Sequence, residues 1–180
     1  MRFNPNWLIA PAAMAAISPA YATEYLNAEQ AAKSIFPEAD KFSYAPVALS
    51  KEQMKEIQKR SGIMQRWSKQ DVWRAEKNGK LIGYFITDNV IGKHEFITYG
   101  TGLSLDGHVR GIEIMTYKET RGDEVRQSSW RNIFKGKTLN DPFKLNKDIP
   151  NISGATLSCK NIMNGVKRLL VLQDMFLQKV

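Results

Sequence analysis

The stretch Val72-Trp73-Arg74-Ala75-Glu76-Lys77-Asn78-Gly79-Lys80-Leu81 decides the fold class. Val72, Arg74 and Glu76 alternate with Trp73, Ala75 and Lys77, the period of a strand whose side chains point to opposite faces. Asn78-Gly79 then ends the run. That dipeptide is favoured where both turn residues take positive φ, as a two-residue hairpin requires. A return strand is predicted from Leu81 to Ile91. A second hairpin follows, with His94 to Leu105, a turn at Asp106-Gly107, and Val109 to Tyr117. Four consecutive antiparallel strands make a twisted meander. Gly92, Gly100 and Gly102 interrupt it, which marks a bulge or the close approach of another backbone or a ligand.

Helices flank this meander. Asn27-Ala28-Glu29-Gln30 reads as an N-cap with Gln at the third helical position, opening a short helix through Ile35 that Pro37 stops. Ser50-Lys51-Glu52-Gln53 repeats that signature, with Met54 and Ile57 on one face and Gly62 as terminator. Asp123 to Phe134 reads as a helix burying Val125, Trp130, Ile133 and Phe134, and a connection containing Pro142 and Pro150 follows. The last helix is the clearest: Ile162, Val166, Leu169, Leu170, Phe176 and Leu177 recur at helical spacing, while Lys160, Lys167 and Arg168 point elsewhere. The expected architecture is α+β, a twisted antiparallel sheet of about four or more strands packed on one face by N- and C-terminal helices.

A length of 180 residues implies one domain. Hydrophobic content of 43% with 24% charged residues suits a chain that buries a real core. Residues 1–22 stand apart from that domain. Arg2 precedes an apolar run from Trp7 to Ile17, and Ala20-Tyr21-Ala22 offers a small-x-small cleavage site. The run falls short of the roughly 20 residues a membrane span needs and is broken by Pro11. It reads as a cleaved secretory signal, leaving a single periplasmic domain, 23–180; an uncleaved membrane anchor facing the periplasm is the alternative. Cleavage would take the net charge from +8 to +7, because Arg2 is the only charged residue removed. The basic residues are scattered, which reads as an ordinary solvated surface; export argues against nucleic acid, and an acidic protein or an anionic membrane surface is the alternative for that charge. Cys159 is the only cysteine, so no intramolecular disulfide forms and lipoprotein attachment near the signal is excluded.

The chemistry points to Ser153-Gly154-Ala155-Thr156, immediately before the last helix. Three small residues let a bulky group approach the backbone, and Gly154 permits torsions closed to other residues. Thr156 falls at or near the N-cap, where unpaired N–H groups and the positive end of the helix dipole suit a phosphate. A phosphoester on its hydroxyl would be held by the amides of Leu157, Ser158 and Cys159. Ser153 or Thr156 as a plain helix cap accounts for the same four residues.

The segment Ser153-Gly154-Ala155-Thr156-Leu157-Ser158 resembles the flavinylation motif of the FMN-binding domain family. That family includes the flavin-carrying subunits of sodium-pumping NADH:quinone oxidoreductase and of the Rnf complex. The likeness extends to Asp106-Gly107-His108-Val109 with Gly111, and to Glu119-Thr120-Arg121-Gly122, which matches the family's Glu-Thr-x-Gly loop lying against the flavin. Together these cover about residues 70–172. The resemblance implies covalent FMN on Thr156, added by an exported FAD:protein FMN transferase with FAD as donor and magnesium assisting. It also implies redox partner proteins associated with a membrane. One departure stands out: the family has an Asp three residues before the motif's Ser, and here that position is Pro150. Asp148 is expected to take its role through a shifted backbone, with a transferase that tolerates the change or inefficient modification as the alternatives; Asp148 reads equally well as an ordinary turn residue.

Other polar residues carry weaker signals. Glu119 and Thr120 either contact the flavin's polar edge or simply leave a strand. Lys93 reads as solvated, with phosphate neutralisation as the alternative. His94 and His108 lack a third ligand at metal spacing, so no metal site is supported. Tyr99, Tyr117 and Trp130 read as core or sheet-face residues rather than ring-stacking partners. No nucleophile–base pair stands out. The expected function is therefore an exported electron carrier more than a free-standing enzyme. A flavin-dependent reductase of a small exported substrate, a membrane-anchored complex subunit and a plain binding module are the competing readings.

Overall fold

Asn78 at φ 51 and Gly79 at φ 72 supply the positive pair that the Asn-Gly turn demands. In the computed structural model, which describes residues 23–177, they join β4 (Lys69–Lys77) to β5 (Lys80–Ile91). The expected signal segment, 1–22, lies outside the described residues. β6 (Phe96–Ser104) and β7 (Val109–Tyr117) complete the meander, with Gly107 at φ 82 in the intervening turn. Three short strands extend it: β1 (Thr23–Glu24), β2 (Lys41–Tyr44) and β3 (Val47–Ala48). The order across the sheet is β1-β7-β6-β5-β4-β2, with β3 also pairing β4. Every pairing is antiparallel. The outer strands run for two to four residues, too short for an alternating pattern to reveal them.

Both faces of the sheet are covered, which departs from the one-sided packing expected. α1 (Ala28–Ile35) sits on one face, where Ala31, Ala32, Ile35 and Phe36 meet Ala75, Phe85 and Met115. α4 (Thr156–Phe176) covers the other, packing Ile162, Val166 and Leu169 against Tyr84, Ile86 and Ile112. α2 (Lys51–Ser61) adds Ile57 to that larger cluster. Both shorter helices open with the expected capping box: Asn27 Oδ1 accepts from the Gln30 amide at 2.9 Å, and Ser50 Oγ from the Gln53 amide at 3.2 Å. The strand glycines make room for neighbouring side chains. A Cβ at Gly102 would lie 2.3 Å from Ile35 Cγ2, and one at Gly100 would lie 2.3 Å from the Phe85 ring.

Two further expectations are corrected. Asp123 to Phe134 is not one helix but a 3₁₀ turn (Asp123–Arg126), α3 (Ser128–Arg131) and a second 3₁₀ turn (Asn132–Phe134). Gln127 breaks it with extended torsions, φ −65 and ψ 138. Arg131 explains the bend: its guanidinium pairs with Glu113 of β7 and donates from Nε to the Arg126 carbonyl at 2.8 Å, pulling the segment onto the sheet. Arg168, expected to face away from the core, is 4% exposed. Its guanidinium pairs with Asp88 and bonds Gln65, and Tyr99 donates to the same Asp88 oxygen at 2.7 Å. A buried charge is tolerable only when paired and hydrogen-bonded, as this one is. Gly165 lets the helix settle there, since a Cβ would stand 2.1 Å from the Tyr99 hydroxyl.

Candidate functional site

Three chain segments meet at the N-terminus of α4 and enclose a cleft of about 610 Å³, within the roughly 300–1,000 Å³ typical of small-molecule sites. The β5–β6 turn contributes Lys93 and His94, and the loop after β7 contributes Glu119, Thr120 and Arg121. The third wall is Gly154 to Ser158. Of the predicted site residues in the segment 153–158, Gly154, Ala155, Thr156, Leu157 and Ser158 line the cleft, whereas Ser153 is exposed outside its lining. Glu119 and Thr120, predicted from a separate stretch, join them there.

The segment before α4 is built for close approach. Gly154 adopts φ 80, and the Ala155 amide donates to the Ile152 carbonyl at 3.0 Å, closing a turn that leads into the helix. Ala155 is the N-cap residue, so Thr156 is the first helical residue, one position later than a cap. No side chain caps this helix, unlike α1 and α2. Plain capping by Ser153 or Thr156 is therefore ruled out as the reason for these hydroxyls. The Cys159 amide already donates to the Ala155 carbonyl at 3.0 Å, which corrects its expected place in a phosphate cradle. The amides open at the first turn are those of Thr156, Leu157 and Ser158.

Glu119 has a defined structural task. Its Oε1 accepts from the amides of His94 at 2.6 Å and Glu95 at 3.0 Å, so it clasps the β5–β6 turn over the cleft. Gly92 leaves space for it: a Cβ there would stand 2.4 Å from that oxygen. Burial pushes the Glu119 carboxyl up, but the backbone donors of Glu95, His94 and Lys93 outweigh it and hold the group below the ordinary range. Thr120 is exposed on the cleft wall. Lys93 and Arg121 form no ion pair among the described residues, and a Cβ at Gly154 would lie 3.6 Å from Arg121 Cδ. Both cations therefore flank the open amides, which makes the cleft receptive to an anion. Neither Lys93 nor Arg121 sits in a charge run; the sequence offers Lys93 phosphate neutralisation only as the alternative to a solvated role, and gives Arg121, inside the 119–122 loop, no role of its own.

The supporting contacts run inward. Ser158 is 2% exposed, with Oγ 3.3 Å from the Tyr117 hydroxyl, which itself donates to the Arg121 carbonyl at 2.6 Å. Tyr99, Tyr117 and Trp130 are all buried, as read, and line no part of the cleft. Trp130 Nε1 donates to the Pro150 carbonyl at 2.9 Å, pinning the segment upstream of Gly154. Asn151 Nδ2 donates to Thr156 Oγ1 at 3.1 Å; nothing in the sequence singles out this residue. Asp148 is engaged elsewhere. Its carboxylate accepts from the amides of Lys144 at 2.6 Å and Phe143 at 3.1 Å and from Lys137 Nζ at 3.1 Å, so it folds the 143–148 loop and lines no wall of the cleft. No group of three or more metal-ligating residues occurs among the described residues.

Residues 92–171 match the family model of the FMN-binding domain. This stretch belongs to the FMN-binding domain family. It holds every wall of the cleft, since Lys93 to Ser158 all fall within it. The chain is 26% identical over 146 residues to the G subunit of the Na(+)-translocating ferredoxin:NAD(+) oxidoreductase complex of Acetobacterium woodii, covering 76% of this chain and 69% of that protein. It is 37% identical over 78 residues to the G subunit of the ion-translocating oxidoreductase complex of Erwinia tasmaniensis, which is 37% of each chain. The match to the corresponding protein of Stutzerimonas stutzeri is 28% over 114 residues, 57% of this chain and 50% of that one. The crystal structure of Shewanella oneidensis NqrC superposes with a TM-score of 0.53 at 17% identity, covering 77% of this chain and 81% of that one. That likeness establishes the shared α+β fold.

Proposed function

We propose that the chain carries FMN through a phosphoester on Thr156 and passes electrons outside the cytoplasm to membrane-associated redox proteins. The observation that carries this reading is the exposed Thr156 at the uncapped first turn of a 21-residue helix, inside a cleft flanked by Lys93 and Arg121. The open amides of Thr156, Leu157 and Ser158 hold the phosphate, with the helix dipole behind them. Lys93 and Arg121 neutralise its remaining charge. Thr120 offers a hydroxyl to the polar edge of the ring, and Glu119 keeps the opposite wall in place. FMN, when bound, supplies the redox chemistry, and the protein supplies position and electrostatics. No acid–base pair of the chain's own is required. Attachment requires an FAD:protein FMN transferase acting after export.

The names of the three relatives, each a component of an oxidoreductase complex, favour one variant of this reading, in which the domain serves inside a membrane complex. The described residues contain no helix long and apolar enough to cross a membrane; in that variant residues 1–22 are kept as an anchor, whereas their cleavage would release a periplasmic carrier. Intact mass of the protein from a host with the transferase tests the central claim. One FMN phosphoester is expected on the wild type and none on Thr156→Val; an unmodified, colourless wild type would sink the proposal. The N-terminal residue of the mature protein, read by the same mass, separates a free carrier from an anchored component.

A further inference from the structure

Asn151 holds the Thr156 hydroxyl from outside the motif. Its Nδ2 donates to Thr156 Oγ1 at 3.1 Å, while its own Oδ1 is buried with no partner. An exposed threonine hydroxyl ordinarily rotates among staggered positions and bonds water. This one is restrained by an amide whose backbone is itself fixed. On one side the Pro150 carbonyl takes the Trp130 indole N–H, and on the other the Ile152 carbonyl takes the Ala155 amide. Asn151 thus commits its donor to the site while leaving a buried acceptor unbonded, an arrangement that stability alone disfavours. Unsatisfied buried polar atoms of this kind call for a functional account.

We propose that Asn151 is a positioning residue that presents Thr156 Oγ1 for flavin attachment. This rests on the reading that Thr156 is the acceptor. In the transfer, Thr156 Oγ1 forms a bond to the FMN phosphorus of FAD. The pyrophosphate bond to AMP breaks, AMP leaves with the electron pair, and the hydroxyl proton goes to a base on the transferase. Asn151 exchanges no proton. Its N–H occupies one lone pair of Oγ1 and leaves the other aimed into the cleft, so that the rotational search for the reactive geometry is settled before the transferase docks.

The test uses the full chain, purified from a host lacking the transferase and then incubated with transferase, FAD and magnesium. Single-turnover rates are measured across transferase concentrations. Asn151→Ala is expected to lower the limiting rate constant on the order of tenfold, as misorientation of a reacting group does. The half-saturating transferase concentration and the melting temperature should stay unchanged. Asn151→Asp keeps the size but lacks the N–H, and is expected to be slowed as well. Wild-type limiting rates in both variants would overturn the proposal, as would a change confined to the half-saturating concentration. If the wild-type chain accepts no FMN, the acceptor reading itself fails and this inference falls with it; modified wild type with unimpaired variants defeats this inference alone.

Discussion

Gly122 and Ala155 stand in direct contact: a Cβ at Gly122 would lie 2.0 Å from the Ala155 Cβ and 2.9 Å from the Tyr117 hydroxyl. The loop after β7 and the segment before α4 are therefore locked to each other through two residues too small to keep them apart. Gly122 also takes φ 85, a conformation that side chains rarely adopt. Both the torsion and the contact require glycine.

Gly122→Ala is accordingly expected to cost on the order of 2–4 kcal/mol, combining left-handed strain with overpacking. Urea unfolding followed by circular dichroism measures it. A change below about 0.5 kcal/mol, the range of an ordinary surface substitution, would show that the two segments separate freely.

Glu119 makes stability depend on acid. Its folded carboxyl titrates below the ordinary range because backbone donors prevail over burial. A depressed carboxylate contributes fully above its unfolded pKa, about 4.3, and the contribution disappears as pH falls from there through the lower folded value. Glu119→Gln should destabilise by about 1–2 kcal/mol at pH 7, the scale of hydrogen bonds to a charged group. The gap between variant and wild type should shrink as pH drops below that range. An equal gap at pH 7 and pH 3 contradicts the assignment.

Arg168 and Asp88 form the buried pair that ties α4 to β5. Arg168→Met leaves the Asp88 carboxylate buried and uncompensated, a loss of about 3–5 kcal/mol. Asp88→Leu does the converse. The double variant should lose less than the sum of the two, and the coupling from a double-mutant cycle reads this directly. Additive losses would mean the two charges act independently.

Asp148 is the fold's residue, held inward by two amides and Lys137. Asp148→Asn should lower the melting temperature while leaving the rate of FMN transfer, measured well below that temperature, at the wild-type level. Selective loss of transfer in a stable variant would return Asp148 to the recognition role.

The meander, both capping boxes and α4 were legible because each is written locally: alternation with Asn78-Gly79, Asn27 with Gln30, Ser50 with Gln53, and a 3.6-residue apolar period. The cleft's third wall was legible in the same way, as small residues just before that helix. What escaped was non-local. Arg168 looks like an outward-facing residue unless Asp88, 80 positions away, is known to meet it. Lys93 joins the cleft only because Glu119 clasps its turn. The break at Gln127 follows from Arg131 reaching Glu113 across to β7. Asn151 carries no pattern at all; its importance exists only once Trp130 has fixed Pro150 beside the helix start.

Cys159 is fully buried in the first turn of α4, and burial pushes its thiol up. An alkylating reagent can reach that sulfur only when the packing around the first turn of α4 opens. The chain's only cysteine is thereby a native clock for that opening: its labelling rate reports how often the packing beside Thr156 comes apart, in the unaltered protein and without an added probe.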